Sequence, residues 1–290
     1  MRLFKFLLIV PLLLLAAGCS SLGLLNAVLP KDAGSRLLAK DIAFGAEPRQ
    51  RLDVYGPLEA AAGSRQDVVV FVYGGSWASG SRSDYSFAGR AFASQGFVTV
   101  IADYRLVPDH PYPDFVKDTA AAVAWAHRNA ARFGGNPDRI FLVGHSAGAY
   151  NAAMVTLAPE FLQEEGLDVA AIKGFAGLAG PYDFLPLDPG AAQDAFGHLS
   201  AEALRRSQPI NRVAASRQLP PFLLVTGDAD ETVRPRNTQR LAQALNESGN
   251  TAEVKLYPGV SHAELVLALS RPLRGRAPVL DDVVSFFRRQ

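Results

Sequence analysis

The stretch that decides the fold is Ile140–Tyr150, IFLVGHSAGAY. Its opening residues are apolar and favour a buried strand, and they run directly into Gly144-His145-Ser146-Ala147-Gly148 and then into residues able to start a helix. A strand, a sharp turn and a helix in that order place Ser146 at the tip of the bend. The flanking glycines of G-x-S-x-G suit a backbone that is strained and crowded there, and the turn pushes the serine hydroxyl out of the sheet. Ser146 is therefore read as a nucleophile.

Outward from this turn, the pattern alternates strand with helix. DVVVFVY (Asp67–Tyr73) is a continuous β-branched and aromatic run, FVTVIADY (Phe97–Tyr104) is another, and RLDVY (Arg51–Tyr55) is a shorter alternating strand. AIKGFAGLAG, PFLLVTG and AEVKLYP supply the later strands. Helical spacing fills the gaps around Ala88–Ser94, from Pro113 to Phe133, over Asn237–Ser248 and over Val279–Arg289. Such alternation predicts an α/β fold with a mostly parallel central sheet flanked by helices. Tyr182–Leu219 breaks it: the segment is rich in Pro, Ala and polar residues and shows no strand pattern, so a small cap or long loop after the sixth strand is expected.

A serine hydroxyl is a weak nucleophile at neutral pH, so a base has to take its proton and an acid has to orient that base. At the carboxyl ends of the strands of such a fold the chain order is Ser, then Asp or Glu, then His. Of the five histidines, His110 and His127 precede the serine, His145 lies beside it, and His198 precedes the strand that should carry the acid. His262, in YPGVSHAEL, is left as the base. Three carboxylates compete for the acid in GDADETV: Asp228, Asp230 and Glu231.

Four blocks in one order now resemble a known family. VYGGSW is similar to the His-Gly-Gly-x-Trp loop of carboxylesterases related to hormone-sensitive lipase and the bacterial feruloyl-esterase-like group. DYRLVPDHPYP resembles their Asp-Tyr-Arg-Leu-Ala-Pro-Glu-His-Pro block, RFGGNPDRIFLVGHSAGA their approach to the serine, and GDADETV their G-x-x-D-x-x-V. The resemblance implies an α/β-hydrolase fold, with Ser146, Asp230 and His262 as catalytic residues cleaving small to medium esters through an acyl-enzyme. It implies an oxyanion hole in which Gly75, Ser76 and Ala147 offer backbone N–H groups and Gly74 gives room for the turn. Tyr73 departs from the pattern, standing where the family usually has histidine, and this bears on efficiency and substrate choice. Tyr73, Trp77 and Tyr182 are candidate pocket residues. Two other readings share these blocks: an arylformamidase-like amide hydrolase, and a binding protein of the cell envelope that kept the fold without the chemistry.

The remaining features set the context. Net charge is +1 with no basic stripe, so no nucleic acid is expected, and no metal or cofactor motif is present. The N-terminus, MRLFKFLLIVPLLLLAAGCSS, has Arg2 and Lys5 ahead of an apolar run that is short for a membrane span, which reads as an export signal over 1–18. LAAGC ends on the single cysteine of the chain and resembles a lipoprotein lipobox. That resemblance implies acylation of Cys19, anchorage to the bacterial envelope through the lipid, a tether over 19–40 and a hydrolase domain over 41–290.

Overall fold

The computed structural model describes residues 21–59, 65–214 and 218–290. Eight strands form one sheet: β1 (Ser35–Ala43), β2 (Arg51–Pro57), β3 (Gln66–Val72), β4 (Val98–Ala102), β5 (Gly135–His145), β6 (Ile172–Leu178), β7 (Phe222–Gly227) and β8 (Ala252–Tyr257). Their spatial order is β1-β2-β4-β3-β5-β6-β7-β8. The β1–β2 and β2–β4 pairs are antiparallel, and every pair from β4 through β3 to β8 is parallel. This is the mostly parallel, helix-flanked sheet that the alternation predicted, in the α/β-hydrolase arrangement that the resemblance implied.

Strands β4 and β7 are buried at every position, as are Val68–Val72 of β3 and Ile140–His145 of β5. Helices cover both faces. Ser86–Ser94 and Val279–Arg288 meet on one side, where Phe287 stacks on Phe141 with ring centroids 4.5 Å apart; Asp114–Asn129 and Ala147–Leu157 meet on the other. The chain leaves β3 toward β4 and then returns to the opposite side of β3 as β5. At that reversal the loops after β3 and β5 diverge and open a crevice at the carboxyl ends of the strands.

The N-terminal boundary differs from the expected one. A helix at Ser21–Val28 and strand β1 from Ser35 occupy part of the 19–40 tether, and β1 pairs with β2 from Ser35↔Pro57 onward. The tether reading is thus corrected from Ser21 onward. Asn26 Nδ2 donates to Ser83 O at 2.7 Å, and Asp32 pairs with Arg274 at 2.9 Å, so this segment is fastened to the domain. Cys19 and the 1–18 signal lie outside the described residues.

The 182–219 segment has no strand among its described residues. It contains helices at Ala191–Phe196 and Ala201–Arg206 and a 3-10 turn at Pro209–Arg212. Phe196 is buried, and its ring packs edge-on against Trp77 at 5.0 Å, so the segment closes over the crevice as a small cap.

Candidate active site

Register builds the site. Val72 of β3 pairs with Gly144 of β5, so the chain just past β3 runs beside the turn that carries Ser146. Ser146 has φ 54° and ψ −125°, a region in which a side-chain-bearing residue costs about 1–3 kcal/mol. Its N–H donates to Leu178 O at 2.9 Å, and its carbonyl accepts from Ala149 and Tyr150 N–H as the helix begins. Among the described residues its hydrogen bonds run through the backbone, so no structural partner claims the hydroxyl.

The glycines around it are explained by contact. A Cβ on Gly148 would lie 2.1 Å from Val72 O, and one on Gly144 would lie 2.5 Å from Ala149 Cα and Gly148 O. On the neighbouring loop, a Cβ on Gly74 would meet Ser146 Cβ at 2.9 Å. A side chain at Gly148 or Gly74 would force the two loops apart, and one at Gly144 would force open the turn that carries Ser146.

The loop after β3 makes a tight reversal, with Gly75 at φ 139°, Ser76 at φ 54° and Trp77 at φ 59°. Ala78 and Ser79 N–H both donate to Gly75 O at 3.0 Å, which locks the bend. Ser76, Trp77, Ser146 and Ala147 line one cleft of about 530 Å³. Its other walls come from the cap, through Phe184, Leu185 and Pro186, and from the segment after β7, through Glu231 and Arg234.

Trp77 reaches this cleft on a fixed base. Its Nε1–H donates to Asn151 Oδ1 at 3.0 Å, and its ring contacts Phe115, Tyr150, Phe184 and Phe196. Tyr73 and Tyr182 do not line it, which corrects the pocket expectation for both. The Tyr182 ring folds inward, so that a Cβ on Gly177 would lie 2.1 Å from its hydroxyl oxygen, and Tyr182 N–H donates to Asn237 Oδ1 at 3.0 Å.

Tyr73 instead braces the loop from behind. Its ring is stacked between Tyr85 and Tyr104, with centroids at 5.3 and 4.8 Å. Its hydroxyl donates to Asp103 Oδ1 at 2.9 Å and accepts from Arg49 Nη2 at 2.9 Å. Burial, reinforced by the Asp103 charge, pushes the phenol well above its ordinary value, so it stays a donor. Asp103 also takes Arg82 N–H at 2.6 Å and pairs with the Arg82 guanidinium, which reaches Asp53 as well. Tyr104 O–H donates to Tyr73 O at 3.0 Å, completing a rigid support that sequence reasoning missed.

On the other side of the crevice, β7 and β8 end side by side with Gly227 opposite Tyr257, and each is followed by a loop that carries a candidate residue. Asp230 is buried, and its Oδ2 accepts from His262 Nδ1 at 2.8 Å. Its Oδ1 accepts from Thr232 and Val233 N–H at 3.0 and 2.8 Å, so the carboxylate is fixed in place. Geometry thus separates the three competing acids. Asp228 turns away to accept Gly259 N–H at 2.6 Å, and Glu231 faces the cleft.

His262 opens a short helix, His262–Leu267. The preceding Ser261 gives its N–H and O–H to Glu264 Oε2 at 2.9 and 2.8 Å, and Arg276 Nε holds Glu264 Oε1 at 2.8 Å. The Ser261 N–H, then its hydroxyl, then Arg276 lower the Glu264 carboxyl to about 2. The His262 loop is also tied to the Ser146 turn: His145 lies against His262 with ring centroids 4.9 Å apart. The arrangement has parts suited to acyl transfer: a hydroxyl at a strained turn, an acid-oriented imidazole at the same end of the sheet, and Ser76 and Ala147 on the same cleft as the hydroxyl.

Known proteins resemble this chain over most of its length. The isoprenylcysteine alpha-carbonyl methylesterase of Arabidopsis thaliana is 33% identical over 273 residues, covering 87% of this chain and 62% of its own. The esterase LipC of Mycobacterium tuberculosis is 29% identical, covering 76% of this chain and 58% of its own. The chain therefore spans about three fifths of the length of these curated relatives. Among solved structures, esterase B of Lactobacillus rhamnosis superposes with a TM-score of 0.77 at 21% identity, covering 92% of this chain and 91% of that one, which establishes the shared fold. The sequence model of the BD-FAE family matches residues 52–245, well over half of the 290-residue chain, and the protein belongs to that family.

Proposed function

We propose that the protein is a serine carboxylesterase that cleaves small to medium esters through an acyl-enzyme. The observation that carries this reading is the Asp230–His262 hydrogen bond at the same end of the sheet as the Ser146 turn and its cleft. Ser146 Oγ attacks the ester carbonyl as His262 Nε2 takes its proton. The Asp230 carboxylate, bonded to Nδ1, holds the ring in the required tautomer and stabilises the imidazolium without taking the proton. Negative charge on the former carbonyl oxygen is met by N–H groups of Gly75, Ser76 and Ala147, the kind of donor whose removal costs about 3–4 kcal/mol elsewhere. The proton then passes to the leaving alcohol, and water, activated by the same imidazole, releases the acid.

Relatives named as esterases and methylesterases support an ester as substrate. The cleft's volume and its Trp77, Phe184 and Leu185 walls support an acyl group of modest length. The test is hydrolysis of p-nitrophenyl acetate, butyrate and octanoate, with N-formyl-kynurenine alongside, by the protein starting at Ser20 and by Ser146→Ala. Ester turnover that falls by several orders of magnitude in the variant supports the proposal. Turnover of the formamide alone would move it to an amide hydrolase, and inactivity of the folded wild type to a binding protein.

The proposal includes export and lipid anchorage through Cys19, supported by the charged start, apolar run and LAAGC of the N-terminus. An alkynyl fatty-acid label incorporated by the wild type and lost in Cys19→Ala is the expected result. Equal labelling of both would remove the anchor.

A further inference from the structure

His145, the residue between the turn's first glycine and Ser146, has no part in the chemistry above, yet from the Ser146 turn it reaches both the loop after β3 and the loop that carries His262. It is 4% exposed, and its Nε2 lies 3.3 Å from the backbone carbonyl of His262. A carbonyl oxygen only accepts, so Nε2 carries the hydrogen, and in a neutral ring Nδ1 is then bare. That Nδ1 is buried without a partner among the described residues and faces Gly74, where a Cβ would come within 3.0 Å of it. The ring itself lies on the His262 ring, inclined by 40°.

We propose that His145 is a positioning residue that sets the reach between Ser146 and His262: its Nε2–H tethers the base loop to the nucleophile turn while its ring spaces the His262 imidazole from the oxyanion loop. This rests on the serine-hydrolase reading. Neutrality is part of the role, because a second positive ring beside His262 would oppose formation of the imidazolium. Burial first, and the His262 charge second, hold His145 well below the ordinary histidine value. Gly74 completes the fit, since a larger residue there would displace the ring from the oxyanion side.

The test measures kcat per active site, counted by titration with a fluorophosphonate, together with KM and Tm, for His145→Phe, His145→Ala and His145→Gln. Phe keeps a flat ring without the donor, and Gln keeps a donor of similar reach. A base displaced by a fraction of an ångström to an ångström costs on the order of 10- to 100-fold. Per-site kcat is expected to fall by about that much in His145→Phe and His145→Ala, with KM within about threefold, and His145→Gln should recover most of the loss. A packing role would lower Tm and the titratable fraction and leave per-site kcat within about twofold, which would overturn the proposal. If the Phe and Ala variants do not fold, His145→Gln against the shorter His145→Asn decides, and equal per-site kcat overturns it. Failure of the serine reading looks different: wild-type protein would then not titrate at all.

Discussion

Replacing Tyr73 with Phe removes one oxygen from the support behind the oxyanion loop and leaves the aromatic stack in place. The lost groups are a donor to Asp103 at 2.9 Å and an acceptor for Arg49 at 2.9 Å. Neither partner is orphaned, because Asp103 keeps Arg82 and Arg49 Nη2 keeps Gly80 O at 2.8 Å. The cost is therefore a hydrogen bond to a charged group without a full desolvation penalty, about 1–2 kcal/mol. In a domain of this size that lowers Tm by roughly 2–8 °C. The Tyr73 carbonyl, held by Tyr104, and Gly74 then gain freedom, and the loop's N–H groups lose aim. A loss of roughly three- to tenfold in kcat is expected, well short of deleting a donor. Thermal melts and p-nitrophenyl butyrate kinetics on Tyr73→Phe check both. A Tm within about 1 °C of wild type with unchanged kcat would refute the reasoning, since the hydroxyl would then support nothing.

Asp230→Asn should lower kcat by roughly 10³- to 10⁴-fold with the fold intact, whereas Asp228→Asn, which weakens only the bond to Gly259 N–H, should stay within a few fold; a reversed ranking by steady-state kinetics would exchange the two acids. Gly148→Ala puts a methyl 2.1 Å from Val72 O and should cost about 3 kcal/mol or prevent folding, read from urea melts. Glu264 has a folded-state value of about 2 against 4.5 for the free group, so its contribution to stability is complete above pH 4.5 and disappears as pH falls toward about 2. The Tm difference between wild type and Glu264→Gln should therefore be largest near neutrality and shrink through that window, and a difference independent of pH would refute the assignment.

The parallel strands were legible because burial on both faces writes continuous β-branched and aromatic runs such as Val68–Val72. Strand β1 was not, because it lies at the sheet's edge, is exposed or half-exposed beyond Ser35 and has register shifts on both sides of Ala39, so SRLLAKDIA shows no clean alternation. The order of Ser146, an acid and His262 could be read along the chain. Chain order and strand spacing left Asp228, Asp230 and Glu231 open, because which of them meets the imidazole depends on how the loop turns after Gly227, where a Cβ would lie 1.9 Å from Val260 O; only the resemblance of GDADETV to G-x-x-D-x-x-V singled out Asp230. Tyr73 drew attention as a departure at a motif position, but its support comes from Arg49, Arg82 and Asp103, distant in sequence. His145 was passed over because its partners, Gly74 and His262, are brought to it only by the strand order.

The most direct test of the central claim is the mass of the protein after reaction with a fluorophosphonate, followed by peptide mapping of the adduct. One phosphonyl group per chain, carried by Ser146 and absent from both Ser146→Ala and unfolded wild type, is the predicted result. No adduct on folded protein, or an adduct on another residue that persists in Ser146→Ala, would contradict the account.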